Sequence, residues 1–191
     1  MIIVEGFDNT GKTTLVKRLE STLGCTAKKS PGPKDTGILF AWVQIQLRDS
    51  YNRNILYDRF PVISDSVYGK HLRNRDPFRN TEDGRVLVEK VISRDPLIIW
   101  CDPGMGIALD FGEREQMKGV ADKAKTLYLE YQEIMHKLSA MGASIIKYNY
   151  NAPMADVKLA TSLSIYLSNW FRKKSRESTT IIYDERGNDN G

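Results

Sequence analysis

The 191-residue chain predicts an α/β domain in which a five-stranded parallel sheet is flanked by helices. Three observations carry that expectation. Short β-branched runs alternate with longer helical patterns, a glycine-rich loop joins the first run to a helix, and an apolar stripe from Val120 to Met141 holds one helical face. The length fits a single domain, residues 1–171, followed by a polar tail, 172–191, whose Gly187-Asn188-Asp189-Asn190-Gly191 end is expected to be mobile. With 41% hydrophobic and 27% charged residues the chain can bury a sizeable core, which excludes disordered and fibrous classes.

The candidate strands, in order, are Ile2 to Glu5, Cys25 to Lys29, Asn54 to Asp58, Leu97 to Cys101 and Ser144 to Tyr148. Each is short enough to be buried on both faces, as parallel strands are, and their order in space is left open. Between the last two, Val120, Ala124, Leu127, Tyr131, Ile134, Leu138 and Met141 step by fours and threes along one helix, which Gly142 ends. A second long helix is expected from Pro153 to Phe171, with Val157, Ala160, Leu163, Leu167 and Trp170 on one side and Asn151 and Pro153 as start signals. Both stripes are expected to cover the sheet; the alternative use of such a seam is a partner subunit.

A net charge of +4 suits an anionic ligand without demanding nucleic acid. Cys25 and Cys101 show no metal or redox spacing, so free thiols in a reducing, cytoplasmic setting are expected. The longest apolar run, Ile38 to Val43, is far short of a membrane span, and Met1 leads straight into a strand-like run, so neither insertion nor export is expected.

The decisive motif is Gly6-Phe7-Asp8-Asn9-Thr10-Gly11-Lys12-Thr13-Thr14, which follows the first strand and opens a helix. It satisfies G-x-x-x-x-G-K-[ST]. Small glycines let successive backbone N–H groups curl around a phosphate at a helix N-terminus, where the helix dipole also favours an anion. Gly6, Asn9, Thr10, Gly11, Lys12, Thr13 and Thr14 are therefore the candidate ATP site, with Lys12 reaching the β- and γ-phosphates and the Thr13 hydroxyl ligating Mg²⁺.

Such a site needs a carboxylate for the metal at the end of a neighbouring strand. Ile55-Leu56-Tyr57-Asp58 and Leu97-Ile98-Ile99-Trp100-Cys101-Asp102 both run into an Asp. Asp58 is preferred because Arg59 follows it, placing a guanidinium for phosphate oxygens on the same strand end. Asp102, before Pro103 and Gly104, reads better as a turn cap. Other matches carry less. Gly104-Met105-Gly106 lacks the third glycine of a dinucleotide fingerprint, and Asp110-Phe111-Gly112 has no catalytic-loop partner in the chain. The cluster Arg172-Lys173-Lys174-Ser175-Arg176 reads as a solvated helix end.

Glu5-Gly6-Phe7-Asp8-Asn9-Thr10-Gly11-Lys12-Thr13-Thr14 resembles the E-G-x-D-x-x-G-K-T-T phosphate loop of thymidylate kinases, and Asp58-Arg59-Phe60 resembles their D-R-[YF] motif. Ile38-Leu39-Phe40-Ala41 is similar to their L-L-F-A segment, and weaker likeness continues through Arg114 and Tyr128-Leu129-Glu130 to about Tyr148. The resemblance implies a P-loop nucleoside monophosphate kinase fold, ATP and Mg²⁺, a mobile lid over about 111–118, and often a homodimer. It implies that Asp8 binds the acceptor's 3′-hydroxyl, Arg59 its phosphate and Phe40 its base, that Tyr68 crowds the 2′ position, and that Arg114 is the lid cation. Departures fall on the acceptor side. Gln44 stands where the family usually has Arg, Lys29-Ser30-Pro31-Gly32-Pro33 stands for its R-E-P-G-G-T loop, and Pro61 to Gly69 is one residue longer. Gln44, one helical turn beyond Phe40, is thus a candidate reader of the base edge.

The expected activity is phosphorylation of a deoxynucleoside 5′-monophosphate, thymidylate-like or with a modified pyrimidine, to the diphosphate. Two alternatives stand beside it: a kinase of a nucleoside or of a modified base within DNA, for which Lys70, Arg73, Arg75 and Arg79 could track a backbone, and a nucleotide-binding switch or sensor. The switch reading lacks an N-K-x-D element.

Overall fold

The computed structural model describes residues 1–50, 55–112 and 117–185, and side chains of the last helix through Ser175 with the exception of Lys174. The chain divides into two units, Met1–Ala152 and Pro153–Gly191.

In the first unit the strands are β1 (Ile2–Glu5), β2 (Lys28–Lys29), β3 (Leu56–Asp58), β4 (Leu97–Cys101) and β5 (Ser144–Tyr148). They form one parallel sheet in the order β2-β3-β1-β4-β5. β1 is central, with Val4 opposite Asp58 on one side and Ile99 on the other. Its IIVE run and the LIIWC run of β4 are buried throughout, as two covered faces require. The predicted bounds of β1, β4 and β5 match. Two others are shorter. The N–H groups of Cys25 and Ala27 are taken by the backbone carbonyl and side chain of Glu20, so only Lys28 and Lys29 remain to pair with β3. Asn54, the expected start of β3, lies outside the described residues.

Among the described residues seven helices surround the sheet in this unit: α1 (Lys12–Leu23), α2 (Thr36–Asp49), α3 (Pro61–Leu72), α4 (Pro77–Asn80), α5 (Glu82–Ile92), α6 (Met105–Ala108) and α7 (Ala124–Ala140). The predicted stripe holds on α7, where Ala124, Leu127, Tyr131, Ile134 and Leu138 are buried against α3 and β5. Its ends differ from expectation. Gly119, at φ +82°, and the turn through Lys123 delay the helix start to Ala124, and Met141 at the C-cap is exposed. Helix α3 carries no stripe because every residue from Pro61 to Gly69 is buried. Helix α5 is capped by Thr81, whose hydroxyl accepts from the Gly84 N–H at 3.0 Å. A Cβ at Gly84 would stand 2.0 Å from the Pro77 carbonyl oxygen, so only glycine lets α4 and α5 meet. The core runs through Ile3, Tyr57, Phe60, Leu39, Val67, Ile98 and Leu127.

The described residues of the second unit form one helix, α8 (Ala155–Glu185), entered through Met154 at φ +58°. It extends past the predicted end at Phe171. Residues 172–185 contain neither glycine nor proline, so the helix outlasts its apolar stripe. No helix among the described residues is long and apolar enough to cross a membrane.

Candidate active site

The loop between β1 and α1 is built by three left-turning residues. Asn9 has φ +63°, Gly11 caps α1 at φ +80°, and Gly6 has φ +147°. A Cβ at Gly6 would lie 2.4 Å from the Cys101 carbonyl oxygen, and one at Gly11 would press on the Tyr150 ring at 3.0 Å. Both positions therefore need glycine. The loop is braced from within, because the Phe7 carbonyl accepts from the Thr10 hydroxyl at 2.7 Å and from Lys12 Nζ at 2.6 Å. Lys12 is consequently buried and not the surface lysine that its role would suggest. Burial, with Arg59 nearby, lowers its pKa to about 8. Thr13 and Thr14, on the first turn of α1, are exposed.

At the adjoining end of β3, Arg59 sits at φ +66°, a conformation that costs a non-glycine residue about 1 kcal/mol or more and is concentrated at functional sites. Its guanidinium forks. One nitrogen donates to Asp8 at 2.5 Å, the other to the Tyr131 hydroxyl at 2.8 Å, and its carbon stands 5.1 Å from the Tyr68 ring centroid. Beneath them Glu5, fully buried, accepts from the Phe60 N–H at 2.6 Å, the Gly6 N–H at 3.3 Å and the Tyr131 hydroxyl at 3.3 Å. Burial raises the Glu5 pKa to about 7 against the opposing pull of Arg59. One carboxylate thus joins the β1–α1 loop, the end of β3 and α7.

The two candidate metal carboxylates separate clearly. Asp102 accepts from Tyr128 at 2.6 Å and from the Gly104 N–H at 3.0 Å, and pairs with Lys147 at 2.8 Å. Burial opposes its charge, but the Lys147 and Tyr128 hydrogen bonds hold its pKa below the ordinary value. It is a turn cap and an ion-pair partner. Asp58 is half-buried beside Val4; its backbone carbonyl accepts from the Ser30 N–H at 3.1 Å, while its carboxylate makes no hydrogen bond or ion pair with another described residue. An unengaged carboxylate and the exposed Thr13 hydroxyl are hard oxygen donors of the kind that share Mg²⁺ with substrate phosphates.

The residues expected to face an acceptor are placed more loosely. Phe40, half-buried on α2, has its ring 5.2 Å from that of Phe78, and Gln44 is exposed one turn further on. Tyr68 is buried against Tyr131, with ring centroids 5.8 Å apart. The structure thus brings together Asp8, Lys12, Arg59 and Tyr68, while Phe40 and Gln44 are on a separate helix. Arg114 lies outside the described residues. The cations considered for a DNA backbone are engaged elsewhere. Lys70 pairs with Glu130 at 2.7 Å, Arg73 and Arg75 with Asp65 at 2.6 and 3.5 Å, and Arg79 with Asp76 and Glu130.

Glu5 and Tyr131 are the site residues that the sequence does not single out. Glu5 stands in the recognised motif as the last residue of an apolar strand, and Tyr131 counts only as one member of a stripe. A buried tyrosine hydroxyl still needs a partner, and that was the available signal.

No protein-family model and no curated protein sequence matches the chain. Solved structures do. The YorR protein of Bacillus subtilis, in complex with phosphorylated GDP, superposes with a TM-score of 0.68 at 19% identity, covering 90% of this chain and 97% of that one. The chain has a P-loop kinase-like fold. Deoxyadenosine kinase from M. mycoides with bound dATP has a TM-score of 0.51 at 16% identity, covering 88% of this chain and 98% of that one. Thymidylate kinase from Candida albicans has 0.52 at 13% identity, covering 88% and 91%.

Proposed function

We propose that this P-loop kinase-like protein is an ATP-dependent phosphotransferase that converts a deoxynucleoside monophosphate to the diphosphate. The observation that carries the reading is the forked Arg59, which places a fixed cation at the strand end facing the phosphate loop and is tied to that loop through Asp8. A cation so held can bind an acceptor phosphate beside the donor's terminal phosphate, which is the positioning that phosphoryl transfer needs. The kinase names of the structural neighbours support the same class.

The loop amides and Lys12 hold the donor phosphates, so Lys12 exchanges the Phe7 carbonyl for a phosphate oxygen. Asp58 and Thr13 are the residues suited to hold Mg²⁺, which supplies charge neutralisation on the transferring group. Arg59 orients the acceptor phosphate. Its attacking oxygen is already anionic, so no general base is required. Asp8 fixes Arg59 and is also the group within reach of a sugar hydroxyl. Phe40 and Gln44 form the base side, with Gln44 offering both a donor and an acceptor where an arginine offers donors only.

A free nucleotide is favoured over a DNA-borne base because Lys70, Arg73, Arg75 and Arg79 are each occupied by carboxylates. The test is a panel of deoxynucleoside monophosphates, nucleosides and DNA incubated with ATP and Mg²⁺, with products resolved by chromatography. A diphosphate from a monophosphate acceptor is expected. Phosphorylation of nucleosides or DNA alone contradicts the reading. In the same panel Gln44→Arg is expected to raise the kcat/KM ratio of thymidylate over the other acceptors by about tenfold. An unchanged ratio removes Gln44 from the base site.

A further inference from the structure

Asn9 occupies the apex of the phosphate loop, yet its carboxamide is turned toward the chain that follows β4. Nδ2 donates to the carbonyl of Ile107 at 3.0 Å and to that of Asp110 at 2.5 Å. Both acceptors are backbone oxygens, so only the nitrogen end of the amide can face them. Ile107 lies in the four-residue α6 and Asp110 two residues beyond its end, and the Ile107 carbonyl also accepts from the Asp110 N–H at 3.3 Å. A second contact joins the same two segments. Phe7, fully buried, places its ring 5.9 Å from the Phe111 ring. Two alternate positions of one loop therefore grip five consecutive residues, Ile107 to Phe111.

We propose that Asn9 is a positioning residue whose side chain clasps the loop apex to Ile107–Asp110, so that donor binding and order in the 107–111 segment are coupled. The inference rests on reading Gly6–Thr13 as the donor phosphate site. Asn9 serves phosphate only through its backbone. A loop whose amides must point at one anion loses that alignment when its apex is released, and what tightens the loop tightens the segment by the same factor.

Two variants test the clasp without disturbing the loop's backbone. Asn9→Asp keeps the side-chain shape but sets a carboxylate against two carbonyls, and Asn9→Gly accepts φ +63° without strain while removing the amide. Hydrogen exchange is measured on peptides spanning 105–112, with and without Mg²⁺-ATP, alongside steady-state kinetics. In both variants exchange at Leu109 to Phe111 is expected to speed up about tenfold, as the loss of one or two hydrogen bonds allows. ATP is expected to protect the segment in the parent protein and to do so less in the variants. Turnover is expected to fall about tenfold with acceptor KM changed less than twofold, a split that general destabilisation does not produce. Parent-like exchange in Asn9→Gly, or parent-like kcat in Asn9→Asp, overturns the clasp. If the parent protein binds ATP but phosphorylates no acceptor, the kinase reading fails, and the exchange data alone decide the clasp.

Discussion

Arg59 and Asp8 stand 2.5 Å apart, nitrogen to oxygen, and that contact joins the end of β3 to the phosphate loop. The other arm of the guanidinium holds Tyr131 at 2.8 Å. A lysine ammonium has no planar fork and cannot take both partners in this geometry. Arg59→Lys is therefore expected to lose about a hundredfold or more in kcat/KM for the acceptor, with ATP binding little changed. Steady-state kinetics with calorimetric ATP titration check this. Equal losses for donor and acceptor would place Arg59 on the donor side instead.

Lys12 is buried, and burial lowers its pKa to about 8 from an ordinary 10.5. Folding thus works against its charge. Lys12→Met keeps the apolar stem, and is expected to lose about a thousandfold in turnover while unfolding free energy stays within about 1 kcal/mol of the parent or rises. Between about pH 8 and 10.5 the folded state sheds a proton that the unfolded chain keeps, so the parent gains stability with rising pH there. The variant lacks that gain, which urea unfolding across the interval would show.

Asp58→Asn and Asp102→Asn are expected to fail in opposite ways. The first should fold normally and lose most Mg²⁺-dependent turnover, because Asp58 engages no other described side chain. The second should keep turnover and lose about 1–3 kcal/mol of stability, because Tyr128 and Lys147 depend on the carboxylate. Activity and thermal melting of the pair separate the roles, and the reverse ranking would exchange them.

Glu130 on α7 gathers Lys70, His71 and Arg79. Burial opposes its charge, but these hydrogen bonds outweigh that effect and lower its pKa to about 2 from 4.5. The stabilisation is complete above about pH 4.5 and is lost as pH falls toward 2, because there the unfolded chain takes up the proton first. Glu130→Gln is expected to cost about 2–4 kcal/mol at neutral pH, a gap that closes in acid. A gap that is independent of pH would show that the carboxylate's charge is not what matters.

Much of this was legible in sequence because local chemistry dictates it. The glycines at 6 and 11 are required by φ and by close neighbours, and the two fully buried strands, β1 and β4, announce themselves through apolar runs. Other features depend on partners distant in sequence. Helix α3 hides its identity because both faces are buried, and the short β2 ends where Glu20 captures its donors. Tyr131 becomes a site residue only when α7 lies beside Arg59 and Glu5. No spacing rule connects residues 5, 59 and 131. In sequence Asp58 and Asp102 differ only in their neighbours, and the engagement of Asp102 by Tyr128 and Lys147, both distant in sequence, has no local signal.

The central claim is transfer from ATP to an acceptor phosphate held by Arg59. Its most direct test follows ADP and deoxynucleoside diphosphate together in one reaction, with Lys12→Met as the control. One diphosphate is expected per ADP formed, and neither product above background in the control. ADP accumulating without a phosphorylated acceptor, or a one-to-one yield that persists in Lys12→Met, would contradict it.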